Sequence, residues 1–175
     1  MSRILLTGAT GYIGARLAQY LLPQHEVFAL ARTPIQTKYL SDCQNKLKWY
    51  VYDGSYASAS RALDDCRPDL VYHLATYYTS ARGEGVVSEL LQSNVMLGGY
   101  LLEAMAQYGC NKLVYTSTVT EFGRDGSYRP LTLYAATKRA FSDLAEYYVD
   151  WGLLRMVTLV LADTYGPGDA RTKVL

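Results

Sequence analysis

Leu6-Thr7-Gly8-Ala9-Thr10-Gly11-Tyr12-Ile13-Gly14 is the stretch from which the rest of the chain can be read. The apolar run Ile4-Leu5-Leu6 precedes it, and Ile13, Leu17 and Leu21 follow at helical spacing. The order is strand, tight glycine turn, helix. A helix that starts in such a turn offers free N–H groups and the positive end of its dipole, which is what a dinucleotide pyrophosphate requires. Glycine lets the backbone approach the phosphate oxygens because it lacks Cβ and tolerates positive φ. The spacing is G-x-x-G-x-x-G rather than the general G-x-G-x-x-G, so the glycines alone also fit a plain strand-to-helix turn. Their place at the head of a βα unit favours the phosphate.

Outward from this turn, strand and helix patterns alternate. Apolar runs rich in β-branched and aromatic residues predict further strands at 26–31, 48–52, 70–74, 112–116 and 153–161. Helical spacing predicts helices at 11–22, 57–66, 86–108 and 134–151. Asn94, Gly98 and Gly99 interrupt the long third helix, and interior glycines there predict close packing on a neighbouring element. The alternation predicts a single α/β domain over residues 1–175: a doubly wound parallel sheet with right-handed crossovers and strand order 3-2-1-4-5-6.

Composition narrows the function. The 175 residues are 50% hydrophobic and 19% charged with a formal net charge of +1, which fits a globular domain and gives no basic face for nucleic acid. The three cysteines, Cys43, Cys66 and Cys110, are odd in number and not spaced like metal ligands. Neither a disulfide framework nor a zinc site is expected, and a reducing cytoplasm fits. No stretch reaches the roughly 18–20 apolar residues of a membrane span. A strand that begins at residue 3 leaves no room for a signal peptide. Seventeen tyrosines have no single physical explanation.

In an open α/β sheet, ligands sit beyond the strand C-termini. Ala31-Arg32 ends the second strand without the carboxylate that would bind the ribose hydroxyls. Arg32 could accommodate a 2′-phosphate or be a solvated surface residue. Asp53, after the third strand, could reach the adenine or serve the turn before Gly54. Ala75-Thr76 lie at the mouth of the fourth strand and Ser117-Thr118 at that of the fifth. His73, in an apolar strand, reads as a packed core residue. There is no G-x-S-x-G elbow and no Walker lysine after Gly11.

Tyr134-Ala135-Ala136-Thr137-Lys138 puts a tyrosine and a lysine one helical turn apart on one face. An ammonium beside a phenol favours the phenolate, so Lys138 is expected to lower the Tyr134 pKa and make it an acid/base near neutral pH. A hydroxyl from Ser117 or Thr118 could bond the same substrate oxygen.

Taken together, T-G-A-T-G-Y-I-G (7–14), H-L-A-T (73–76), N-V-M-L-G (94–98), Y-T-S-T-V-T-E-F-G (115–123), Y-A-A-T-K (134–138) and T-Y-G-P-G-D (164–169) resemble the extended short-chain dehydrogenase/reductase family of nucleotide-sugar epimerases, dehydratases and reductases. The resemblance covers nearly the whole chain in the family's order. It implies a Rossmann fold in which Gly8, Gly11, Tyr12, Ile13 and Gly14 hold the pyrophosphate. By the same resemblance Leu74, Ala75 and Thr76 line the cofactor, and Asn94 steadies the strand 4 region. It further implies that Tyr134 is the acid/base, that Lys138 binds the nicotinamide ribose, and that Thr118, with Ser117 beside it, supplies the catalytic hydroxyl. Three departures stand out. Ala31 replaces the aspartate of NAD-preferring relatives. Asp53 and Ser55 compete for the adenine-binding position. Val119 and Thr120 stand where the 4,6-dehydratases carry Asp-Glu, with Glu121 one place late.

The expected function is an NAD(P)-dependent oxidoreductase that moves hydride at C4 of a nucleotide-activated sugar. A 4-keto reductase of the type that makes CDP-dideoxyhexoses is favoured over a 4-epimerase, NADP over NAD, and an enzyme over a non-catalytic NAD(P)-binding module. Apolar residues on more than one face of the helices at 86–108 and 134–151 predict a homodimer. Family members continue into a small C-terminal substrate domain, so this chain reads as a fragment that lacks it.

Overall fold

The computed structural model describes residues 1–33, 39–40, 43–169 and 171. Strands β1 (Arg3–Thr7), β2 (Glu26–Ala31), β3 (Lys48–Val51), β4 (Leu70–His73), β5 (Lys112–Thr118) and β6 (Arg155–Leu161) form one sheet in the order β3-β2-β1-β4-β5-β6. Every neighbouring pair is parallel. Helices α1 (Tyr12–Leu21), α2 (Tyr56–Cys66), α3 (Glu84–Leu91), α4 (Leu97–Tyr108) and α5 (Leu133–Asp150) connect them. The expected fold and strand order are both present.

Alternation along the strands explains the two covered faces. In β1, Leu5 points into a core with Phe28, Val71, Leu113 and Tyr115, closed by Leu63 of α2, Leu101 and Met105 of α4, and Phe141 of α5. Ile4 and Leu6 point the other way, where Ala15, Ala18 and Leu21 of α1 cover them together with Leu40 and Leu47. Each such leucine taken out of water contributes roughly 1.5–3 kcal/mol before the entropy of ordering is subtracted.

The long helix expected at 86–108 is not uniform. It begins at Glu84 and is broken by a π turn, Gln92–Met96, between α3 and α4. The wider turn brings the side chain of Asn94 inward, where it is 1% exposed and fully engaged in hydrogen bonds described below. Gly98 follows and faces Phe141 and His73 so closely that a Cβ would overlap the Phe141 ring. Gly99 meets little beyond Leu144 at 4.0 Å, so packing does not require glycine there.

Strand β6 begins at Arg155, not at 153. The N–H groups of Leu153 and Leu154 bond the carbonyl of Tyr148 and close the end of α5, which withholds them from the ladder. Val157, Leu159 and Val160 remain exposed on this edge strand.

Candidate active site

A cleft of about 980 Å³ opens at the C-terminal ends of the strands. The glycine turn forms its floor. Gly8 has φ +77°, and a Cβ there would lie 2.7 Å from both the Ala75 nitrogen and the Leu74 carbonyl carbon. The position therefore tolerates only glycine, for conformation and for space together. Gly14 abuts the carbonyl of Gly8, and the Gly11 N–H donates to that carbonyl at 3.0 Å. Helix α1 begins with Gly11 as its N-cap, without a side-chain cap or an acidic residue in its first turn. Its N–H groups thus have no anion of their own. A cradle that a single Cβ would fill, at the open end of a helix dipole, fits a dinucleotide pyrophosphate.

Thr7 locks this turn to the end of β4. The Ala75 N–H donates to Thr7 Oγ1 at 3.1 Å, and the same hydroxyl shares a 2.8 Å hydrogen bond with His73 Nδ1. His73 is 1% exposed and packs on Tyr115 and Phe141. Burial first, and the Lys138 charge second, pull its pKa down to about 3. It is a core residue, as its apolar strand implied.

A contact that no sequence motif assigned straps the same turn from above. Tyr12 donates to the Pro167 carbonyl at 3.3 Å, Arg16 bonds the same oxygen, and the Arg171 guanidinium stands 4.9 Å from the Tyr12 ring. A Cβ on Gly166 would meet the Tyr12 hydroxyl at 2.6 Å. The T-Y-G-P-G-D motif carried the signal, but a contact 155 residues apart in sequence leaves no local trace.

Arg32 and Thr33 line the cleft beyond β2, as do Tyr12, Ile13, Leu74, Ala75 and Thr76. Asp53 does not. Its carboxylate accepts from the Ser55 N–H at 2.8 Å, and the hydrogen bonds of Ser55 and Ser58 hold its pKa at about 2. Ser55 in turn caps α2 by accepting from Ser58 N–H at 3.2 Å. Turn chemistry accounts for both residues, and Tyr52 rather than Asp53 borders the cleft.

Tyr134, Ser117 and Thr118 line the same cleft. Thr132 caps α5 by accepting from Ala135 N–H at 3.1 Å, which fixes the turn that carries Tyr134. The Tyr134 ring meets Tyr78 edge-on at 5.0 Å. Thr118 caps the short turn Val119–Glu121 and shares a 2.9 Å hydrogen bond with the Thr120 hydroxyl. Ser117 is buried, and its hydroxyl donates to the Glu121 carboxylate.

Asn94 and Lys138 lie behind the lining. Asn94 Oδ1 accepts from Tyr77 N–H at 2.7 Å and from the Thr76 hydroxyl at 3.0 Å, and its Nδ2 donates to Tyr77 O and to Thr137 Oγ1, each at 3.0 Å. These bonds tie it to Thr76 and Tyr77, the segment after β4. Lys138 is 2% exposed, with Nζ 4.4 Å above the Tyr115 ring. Burial lowers its pKa to about 7, opposed by the charge of Glu121.

The expected effect of Lys138 on Tyr134 is not found. Burial raises the Tyr134 pKa above the ordinary phenol value, a Thr76 hydrogen bond pulls it partly back, and Tyr78 and Glu121 push it up. Helical spacing placed the two residues on one face. It could not show that the ammonium is itself desolvated and directed at Tyr115.

No group of three metal-ligating side chains occurs among the described residues. None of the described helices is long and apolar enough to cross a membrane.

The sequence profile of the NAD dependent epimerase/dehydratase family matches residues 4–175. The chain belongs to that family. It is 26% identical over 174 residues to a CDP-abequose synthase of Salmonella typhimurium, covering 98% of this chain and 56% of that one. Among solved structures it resembles the UDP-glucose 4-epimerase of Thermus thermophilus in complex with NAD, with a TM-score of 0.83 at 28% identity, over 95% of this chain and 57% of that one. A UDP-glucuronic acid 4-epimerase from Bacillus cereus in complex with NAD gives a TM-score of 0.74 at 26% identity, over 90% and 55%. The chain spans about half the length of these relatives.

Proposed function

We propose that this chain is the cofactor-binding and catalytic half of an NAD(P)-dependent oxidoreductase acting at C4 of a nucleotide-activated sugar, with 4-keto reduction favoured. The observation that carries this reading is that Tyr134 and Thr118 line one cleft with the glycine turn, with burial holding the Tyr134 phenol in the protonated form. The nicotinamide of a bound dinucleotide would supply the hydride. Gly8, Gly11 and Gly14 would seat its pyrophosphate, and Leu74, Ala75 and Thr76 would run along it. Thr118 would orient the sugar oxygen and Tyr134 would give it a proton. Lys138 would meet the nicotinamide ribose after turning from Tyr115 toward the cleft.

A phenol that retains its proton suits ketone reduction, which ends with a protonated oxygen. Epimerisation begins by removing that proton, for which a lowered pKa serves better. Similarity to CDP-abequose synthase points the same way, and similarity to NAD-bound 4-epimerases supports the second reading. Arg32 in the cleft, without a carboxylate at the end of β2, supports NADP, with NAD the alternative. Substrate residues would come from a further domain such as the family's members carry. Val87 and Leu91 of α3 and Leu144, Tyr147 and Trp151 at α5 expose apolar surface that supports a C2 homodimer. Three free cysteines suit a reducing cytoplasm.

The test is loss of NADPH absorbance when the full-length protein meets a 4-keto nucleotide sugar such as UDP-4-keto-6-deoxyglucose. Turnover supports the reductase. Interconversion of UDP-glucose and UDP-galactose in a parallel assay with NAD, without net change of cofactor oxidation state, supports the epimerase. Cofactor binding with neither leaves a non-catalytic module.

A further inference from the structure

Thr120 takes a place that the 4,6-dehydratases fill with a carboxylate, and its hydroxyl has no part in the chemistry above. It lines the cleft together with Thr118 and Tyr134, and it is half-buried. Two contacts bind it to Thr118. The Thr120 N–H donates to Thr118 Oγ1 at 3.3 Å, and the two hydroxyls share a hydrogen bond of 2.9 Å. The backbone around it is fixed as well. The Thr120 carbonyl accepts from Leu131 N–H at 3.0 Å, and Phe122 N–H closes the turn on the Val119 carbonyl at 3.1 Å.

A threonine hydroxyl has one proton to give and two lone pairs to accept with. The Thr120 N–H occupies one lone pair of Thr118. The hydrogen bond between the hydroxyls can then run in two senses. If Thr118 donates, its only proton is spent inside the turn. If Thr120 donates, both lone pairs of Thr118 are filled and its proton is left for the cleft. A ketone oxygen has no proton and can only accept, so a hydroxyl that bonds it must donate. We propose that Thr120 is a positioning residue that makes Thr118 a donor: Thr120 O–H donates to Thr118 Oγ1, and Thr118 O–H donates to the C4 oxygen of the sugar. Hydrogen bonds in such a chain polarise one another. The C4 oxygen gains negative charge as hydride arrives at its carbon, so the chain is stronger in the transition state than in the bound ketone. Both threonines keep their protons, and the proton that completes the alcohol comes from Tyr134. This deepens the reductase reading and rests on it.

The experiment uses the full-length protein with UDP-4-keto-6-deoxyglucose and NADPH. Thr120→Val keeps the shape and loses the hydroxyl, whereas Thr120→Ser keeps the hydroxyl. Thr120→Val is expected to lower kcat about threefold to tenfold, the effect of one neutral hydrogen bond, with KM and the NADPH dissociation constant within about twofold of wild type. Thr120→Ser should stay within about twofold of wild type in kcat as well. Thr118→Val should fall about 10²- to 10³-fold, and Thr120→Val added to it should cost nothing more, because Thr120 acts through Thr118. A second readout needs no turnover. In the dead-end complex with NADP+, the infrared C=O stretch of the same ketone, isotope-labelled at C4, should lie at higher wavenumber in Thr120→Val than in wild type or Thr120→Ser, because the donor chain that weakens the carbonyl bond is broken. Wild-type kcat and stretch in Thr120→Val overturn the proposal. So does a loss that Thr120→Ser does not rescue, or an equal further loss in the Thr118→Val background. Should Thr120→Val fail to fold, Thr120→Ala, which also lacks the hydroxyl, takes its place with the same expected results. If the wild-type protein does not reduce the ketone, the reductase reading has failed and this proposal falls with it. If it does and Thr120→Val matches it, only the role of Thr120 has failed.

Discussion

Asn94 Nδ2 donates to Thr137 Oγ1 at 3.0 Å, and this buried bond joins the π turn between α3 and α4 to the helix that carries Tyr134 and Lys138. The other bonds of the same amide hold Thr76 and Tyr77 at the mouth of β4. One side chain therefore ties the mouth of β4 to α5.

Removing it should cost more than an ordinary surface change. Asn94→Ala leaves the part-buried N–H and carbonyl of Tyr77 and the buried Thr137 hydroxyl without this partner, and a buried group left unsatisfied costs about 1–3 kcal/mol. A loss of roughly 2–4 kcal/mol is expected in urea unfolding. A change below about 0.5 kcal/mol, the surface range, would show that Tyr77 finds other partners.

Two glycines with nearly the same φ separate conformation from space. Gly8 (φ +77°) lies against Leu74 and Ala75, whereas Gly109 (φ +75°) at the C-cap of α4 has nothing within 4 Å of an added Cβ. Gly109→Ala should lower stability by about 1 kcal/mol and leave dinucleotide binding unchanged. Gly8→Ala should abolish binding measured by calorimetry. Equal behaviour of the two variants would count against the cradle.

Cofactor choice turns on Arg32. Arg32→Ala should weaken NADPH binding about tenfold and leave NADH nearly unaffected, since a charge-assisted bond to phosphate contributes roughly 1.5–3 kcal/mol before solvent screening. Titration of both cofactors settles it. Wild-type protein that binds NADH as tightly as NADPH sinks the assignment.

His73 should make stability depend on pH. Its pKa falls from 6.5 to about 3 on folding, so below 6.5 the unfolded chain takes up a proton that the folded chain refuses. The contribution is fully present above 6.5 and is lost as pH falls, with a slope of about 1.4 kcal/mol per pH unit. The window above the carboxylate range, from about pH 5 to about 6.5, isolates it. His73→Phe should flatten that slope. A slope unchanged by the substitution would place its source elsewhere.

Much of this was legible in the sequence because the signals are local. The glycine turn, the alternation of strands with helices and the Tyr134–Lys138 spacing each depend on a few neighbouring residues, and the strand order followed from the rule for doubly wound sheets. What was not legible depends on depth and distance. Asn94 showed as an interruption of a helix, but nothing local marks a π turn. Asp53 before Gly54 fits a ligand contact and a turn equally, and only the bond to Ser55 decides between them. Helical spacing placed Lys138 beside Tyr134 but could not report that Lys138 is buried and Tyr134 half-buried. Glu121 showed only as an acidic residue one place late for the dehydratase pair, because burial of its side chain is a property of the assembled fold. The Tyr12–Pro167 strap joins opposite ends of the chain.

The central claim is that Tyr134 moves the proton. Tyr134→Phe removes one oxygen and preserves the ring that packs against Tyr78. In the full-length protein, kcat for NADPH-dependent reduction of UDP-4-keto-6-deoxyglucose should fall about 10²- to 10⁴-fold, while the dissociation constant of NADPH measured alongside stays within about twofold. Wild-type kcat in Tyr134→Phe would contradict the account.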